Sequence, residues 1–329
     1  MSDLKKILPS LVISIILIVV ILYFFDVRAA LLSFAGANKT YLIIALALGL
    51  SWMLMRTFVW RTLLKGRASL KDTFITLNEG YLLNNILPFR LGELGRAFLL
   101  SQKTDLKFVE ILSTIFIERI TDVAFSAIIL LAAIPFINGV GDVKMVGWLA
   151  IGAVAFFFAL AFLSIRYQEK LLAILSRLVS KIPKGKTFVD SVVARLLQGL
   201  DIFSDRKVFF SFIFFMLLNW AISIVQYYLI IAAFFPQATI VWGMFALGAA
   251  AFGGAIPSLP GAVGTLEGSM GGAVALLSGS TSASLAVPLF LRLNMYLYSG
   301  LFGIYGLTTE GRSLKGIYQT LRNLGKTTE

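Results

Sequence analysis

Asn78-Glu79-Gly80-Tyr81-Leu82-Leu83-Asn84-Asn85-Ile86-Leu87-Pro88-Phe89-Arg90-Leu91-Gly92-Glu93-Leu94-Gly95-Arg96 is the stretch on which the reading of this chain turns. It holds asparagines, a proline, glycines, two glutamates and two arginines, between apolar segments long enough to cross a bilayer. Facing lipid, each unpaired polar group in it would cost several kcal/mol. The stretch is therefore expected to be buried in protein or to line a wet cavity, and function is expected there.

Composition supports a membrane setting. Of 329 residues, 58% are apolar and 14% charged, with a mean hydropathy of +0.89. Soluble domains carry about a quarter charged residues. A spanning helix takes about twenty residues, so the chain has room for roughly six to eight passes. The net charge of +12 suits anionic lipid headgroups at the cytoplasmic face. A nucleic-acid partner would need a water-exposed basic face, and none is expected. Cysteine and histidine are both absent. That excludes disulfides, thiolate chemistry, zinc sites and histidine-based triads. No cofactor and no metal is expected.

In chain order, residues 7–25 read as an uncleaved first span, with Pro9 in its first turn. Residues 41–60 form the second span. Arg56, Arg61, Lys65, Arg67 and Lys71 then mark the cytoplasmic side, which places the N-terminus there too. Residues 73–100 read as two short helices broken at Pro88 and Gly92, a hairpin that enters and leaves on the cytoplasmic side. Spans follow at 111–137 and 145–165, joined by an outer loop at 138–144. Residues 166–207 carry nine basic and four acidic residues. They read as a cytoplasmic amphipathic segment, lying on an anionic membrane surface or forming a solvated helical hairpin. Residues 208–235 are the fifth span. Residues 243–279 are a second broken stretch, with Pro257, Pro260, Gly264 and Glu267, read as a hairpin entering from outside. Residues 285–307 are the last span, and the basic tail 308–329 is cytoplasmic.

The two broken stretches share Pro88-x-x-x-Gly92-Glu93 and Pro260-x-x-x-Gly264-x-x-Glu267. Span, span, hairpin, span thus occurs twice with opposite orientation, over residues 1–137 and 145–307. The expected fold is an all-α polytopic membrane protein of about six spans and two re-entrant hairpins in an inverted repeat. Pro88, Gly92, Pro257, Pro260 and Gly264 would be its hinges. Such repeats bind substrate where the broken helix ends meet.

Half-helix N-termini favour an anion, and a guanidinium fork matches phosphate oxygens. Asn85, Arg90, Glu93, Arg96, Glu267 and Arg292 are therefore the candidate substrate-binding residues. Glu93 and Glu267 would neutralise the arginines in an empty site or titrate. Glu93 and Arg96, three apart, could alternatively pair with each other. Arg292, deep in the last span, needs a carboxylate, Glu267 or Glu93. Asn84 and Asn85 suit helix capping better than headgroup binding. Glu118, Arg119 and Asp122 read as boundary anchors behind the site. Glu79 receives no role.

The run Asn84-Asn85-Ile86-Leu87-Pro88-Phe89-Arg90-Leu91-Gly92-Glu93-Leu94-Gly95-Arg96 resembles the signature of the lysylphosphatidylglycerol synthase transmembrane-region, or flippase-like, family. Glu118-Arg119-Ile120-Thr121-Asp122 and Pro260-Gly261-Ala262-Val263-Gly264 with Glu267 look like its second and third blocks. The resemblance implies two re-entrant hairpins lining a lipid cavity in the prokaryotic plasma membrane, and no enzymatic activity. It also implies a lipid substrate and a partner lipid synthase or glycosyltransferase, since this chain has no synthase domain. A phosphate-containing lipid is the leading substrate: an aminoacylated or anionic phospholipid, or a polyprenyl-phosphate glycolipid. The other readings are a transporter of a small soluble anion, a scaffold for a synthase, and a membrane enzyme with Mg²⁺ on Glu118 and Asp122.

Overall fold

A computed structural model of the chain describes residues 27–87, 91–137, 152, 205–256, 260–312 and 316–320. The expected spans at 7–25 and 145–165, nearly all of 166–207, and Pro88, Arg90 and Pro257 lie outside the described residues. Among the described residues the structure is all helical, without strands.

Two long helices form the spine. Helix α1 (Val27–Gly36) leads into α2 (Lys39–Leu63), which starts where the Asn38 side chain accepts the Tyr41 N–H at 3.2 Å. Helix α6 (Arg206–Phe234) follows the masked middle of the chain and starts at the Asp205 cap. Both α2 and α6 are long and apolar enough to cross a membrane. They lie antiparallel, because the Asn219 amide donates to Trp52 O and the Gln226 amide to Ala45 O, each at 3.0 Å. The far side of α6 leaves Phe210, Phe214 and Leu217 more than half exposed. Their spacing of four and three residues makes one apolar stripe, as a helix facing acyl chains requires.

Each broken stretch becomes two short helices. Helix α3 (Leu70–Ile86) and α4 (Gly92–Ser101) make the first pair; neither reaches spanning length. Leu87 leaves the helix with ψ 143°, as expected of the residue before a proline. Across the break the Asn84 side chain accepts the Gly92 N–H at 2.9 Å, so Asn84 caps α4. Helices α3 and α4 cross so closely that a Cβ on Gly92 would fall 2.1 Å from Gly80 O. Only glycine fits there.

After α5 (Phe108–Ala133) and α6, the second pair is α7 (Ile240–Ala255) and α8 (Thr265–Ser278), joined by a tight turn at Pro260–Ala262. Gly261, Ala262 and Gly264 have φ of 70°, 56° and 90°, so the turn runs through left-handed backbone. Ala262 is strained there unless its surroundings hold it. A short α9 (Thr281–Ser284) leads to α10 (Ala286–Thr309).

Helix α3 packs on α10, α7 packs on α5, and α3 also touches the Pro260–Ala262 turn. The two helix breaks therefore meet at the centre of the bundle.

Replacing Gly92 by alanine is expected to destabilise the first hairpin by about 1–3 kcal/mol through overpacking. Gly272 has no atom within 4 Å of its would-be Cβ, so Gly272→Ala is the control. Thermal unfolding in detergent should show a clear drop for Gly92→Ala and none for Gly272→Ala.

Candidate functional site: a polar cavity between the helix breaks

A cavity of about 570 Å³ opens where the breaks meet, walled by α2, α3, α5, α6, α10 and the Gly261–Ala262 turn. Its charged lining residues are Arg56, Glu93, Arg119 and Asp122; Asn85 lines it as well.

Those charges belong to a network that continues into the protein behind them. Glu118 on α5 is fully buried and accepts from Arg56 on α2 at 2.7 Å and from Arg96 on α4 at 3.1 Å. Arg56 also grips both oxygens of Asp122, one at 2.7 Å, in a two-pronged pair. Arg119 contacts Glu93 at 2.9 Å, Asp122 at 3.5 Å and Glu118 at 3.7 Å. Arg96 stacks on Trp60, its guanidinium 4.3 Å from the ring centroid. Three guanidiniums and three carboxylates thus balance, which lets six formal charges sit in one polar nest. Arg56 Nε, Arg96 Nε and Glu118 Oε2 are buried without a hydrogen-bond partner among the described residues.

A second cluster holds the other break. Arg292 on α10 contacts Glu267 through Nε at 2.8 Å and Nη2 at 2.5 Å. It also donates to Gly261 O and, at 3.3 Å, to Ala262 O. Glu267 turns its other oxygen to the Gly264 N–H at 2.9 Å. Arg292 therefore clamps the strained turn against α8. This supplies the restraint that Ala262 needs.

Several expectations are corrected by this geometry. Arg56 is not part of the cytoplasmic basic cluster: it is 3% exposed and ion-paired, whereas Lys65, Arg67 and Lys71 are exposed. Glu93 and Arg96 do not pair with each other, since each faces a different residue of α5. Arg96, Glu267 and Arg292 do not line the cavity; they stand behind its wall and position it. Glu118, Arg119 and Asp122 are not boundary anchors, because Glu118 is wholly buried and the other two face the cavity. Of the two carboxylates expected for Arg292, Glu267 is the partner. Asn85 donates to Ser299 on α10 at 3.0 Å rather than capping a helix. Arg90 lies outside the described residues.

Some residues escaped the sequence reading. Glu79 is fully buried and pairs with Lys103 at 3.1 Å, while Lys103 also pairs with Glu310, so the end of α4 is tied to the end of α10. Asn219, Gln226 and Asn294 line the cavity as well. An available signal was the cost of one polar side chain inside an otherwise apolar span.

The fold and site define an all-α integral membrane protein with a polar cavity enclosed by broken helices. The chain matches the family described as Lysylphosphatidylglycerol synthase TM region over residues 7–303, and it belongs to that family. It is a lipid-related membrane protein. Comparisons with curated proteins and with solved structures each return no match.

Removing Glu118 leaves Arg56 and Arg96 buried against lost carboxylate, an expected cost of about 3–5 kcal/mol. Glu93→Gln should cost much less, because Arg119 keeps Asp122 nearby and is partly exposed. Melting temperatures of purified Glu118→Gln and Glu93→Gln decide this; equal shifts would contradict the central place given to Glu118.

Proposed function

We propose that this protein is a lipid translocase, moving a phosphate-containing lipid between leaflets through the cavity where its two helix breaks meet. That cavity is the observation that carries the reading. A headgroup crossing the hydrocarbon layer needs a continuous polar lining, while the acyl or prenyl chains can stay in apolar surroundings. Arg119, the most exposed guanidinium of the network, is the residue assigned to contact the phosphate.

Alternating access would come from an inverted repeat, with α2–α3–α4–α5 matched by α6–α7–α8–α10. Two correspondences support it. The contact of α3 with α10 has its counterpart in that of α7 with α5. Glu93, at the start of α4, pairs with Arg119 Nε on the next long helix at 2.9 Å. Glu267, at the start of α8, pairs with Arg292 Nε on the next long helix at 2.8 Å. The spacings are nearly equal, at 26 and 25 residues. The pairing of glutamate and arginine thus follows the repeat more closely than the proline and glycine spacing does. In this reading the chain has about six spans, both termini face the cytoplasm of a prokaryotic cell, and a lipid synthase or glycosyltransferase works beside it. It performs no chemistry itself. A cation on Glu118 and Asp122 would have to displace Arg56 from both, which disfavours the enzyme reading.

Leaflet exchange of labelled lipid in proteoliposomes tests transport. Arg119→Ala is expected to slow it at least tenfold relative to the wild type, while the correctly folded fraction stays comparable by melting. Equal exchange by both would remove the assigned site. Orientation is tested separately, since the chain has no cysteine of its own. A cysteine at Lys103 should be labelled from the cytoplasmic side and one at Ser280 from the outside; labelling of both from one side would end the inverted-repeat proposal.

A further inference from the structure

The polar groups on the cavity wall divide along α2. At Arg56 stand the ion pairs with Asp122 and, beyond it, Arg119. Eleven residues earlier, about 16 Å along the helix, Ala45 O accepts from both Gln226 Nε2 at 3.0 Å and Asn294 Nδ2 at 3.3 Å. Between these levels Asn219 Nδ2 donates to Trp52 O at 3.0 Å.

Chemistry decides which way these amides face. A backbone carbonyl can only accept, so the NH₂ group must point to it. Each amide keeps its carbonyl oxygen and one further N–H, and no hydrogen bond among the described residues engages those oxygens. Ser126 and Ser223 on the same wall donate their protons to Val123 O and Asn219 O, which leaves lone pairs. Trp220 Nε1 is buried with no partner among the described residues. The wall therefore offers many acceptors and a few donors, all uncharged. Trp52, stacked on Tyr81 with centroids 5.9 Å apart, adds an aromatic surface.

Three headgroup chemistries can be compared with this wall. A phosphate only accepts, so it belongs at the guanidinium end. An ammonium needs an unpaired carboxylate, but Glu93 and Asp122 are held by Arg119 and Arg56. A hydroxyl both donates and accepts, and it matches amide, serine and indole groups alike.

We propose that the amide-lined end of the cavity recognises a hydroxyl-rich, uncharged group carried next to the lipid phosphate, a glycerol or a sugar, in preference to an ammonium-bearing headgroup. The cavity volume of about 570 Å³ lies in the usual range for ligand sites. The inference rests on the translocase reading for the presence of a lipid, but it concerns only which headgroup is chosen.

Trp52 and Trp220 line the cavity, so tryptophan emission of the full chain in detergent reports binding. The probes are short-chain phosphatidylglycerol, phosphatidic acid and phosphatidylethanolamine, with a polyprenyl phosphate and its hexose derivative. At least one polyol lipid is expected to bind ten times tighter than its polyol-free counterpart and than phosphatidylethanolamine. Phosphatidylglycerol leading would identify a glycerol headgroup, and the hexose derivative leading a sugar. Gln226→Leu and Asn294→Leu should each narrow that ratio about fivefold, the worth of one hydrogen bond. The wild-type series stands without them should either variant fail to fold. Polyol and polyol-free lipids binding within twofold, or phosphatidylethanolamine binding tightest, would overturn the proposal. Headgroup selectivity without leaflet exchange would remove the translocase reading and uphold this one; exchange without selectivity would do the reverse.

Discussion

Glu118 is the point on which the arrangement rests. It sits fully buried on α5, with Arg56 of α2 and Arg96 of α4 converging on its carboxylate. An isolated guanidinium is costly in a dry interior, and three of them would expel one another. One carboxylate at the centre and two nearer the cavity, Glu93 and Asp122, bring the formal charge of the cluster to zero. The same contacts tie the first helix pair to the spine, so the cavity has a wall of defined shape. Its charged residues are held in place before any ligand arrives.

The second break is organised differently with similar parts. Arg292 touches a carboxylate and two backbone carbonyls, and so holds a turn that contains Ala262 at positive φ. A left-handed alanine persists only where the surroundings over-determine it. Here a glutamate on the neighbouring helix and an arginine on the next one do so, with Glu267 also capping Gly264. Charged residues that look like ligand contacts in the sequence therefore act on the backbone that shapes the cavity.

This division of labour explains why the cavity can be polar without being strongly charged. Its ion pairs are closed among themselves, and its amides donate to the carbonyls of α2. Those bonds join α6 and α10 to α2 through the cavity wall. Packing and recognition thus draw on the same side chains, each amide using one N–H for the scaffold.

The sequence by itself determined the class of protein and the position of both helix breaks. Proline, glycine and polar groups inside apolar segments act locally, through steric limits on the preceding residue and the cost of bare polar groups in lipid. Arg292 could likewise be assigned a carboxylate partner, because the cost of a lone charge demands one. What only the tertiary structure decided is which charges meet. Arg56 and Glu118 lie 62 residues apart, and whether they touch depends on how α2 and α5 are rotated and docked. Glu93 and Arg96 are sequence neighbours, yet they face different residues of α5, Arg119 and Glu118. The cavity amides were hidden for the same reason. A single asparagine or glutamine in an apolar span signals that a partner exists, but the partner is a backbone carbonyl on another helix, and no pattern in the chain names it.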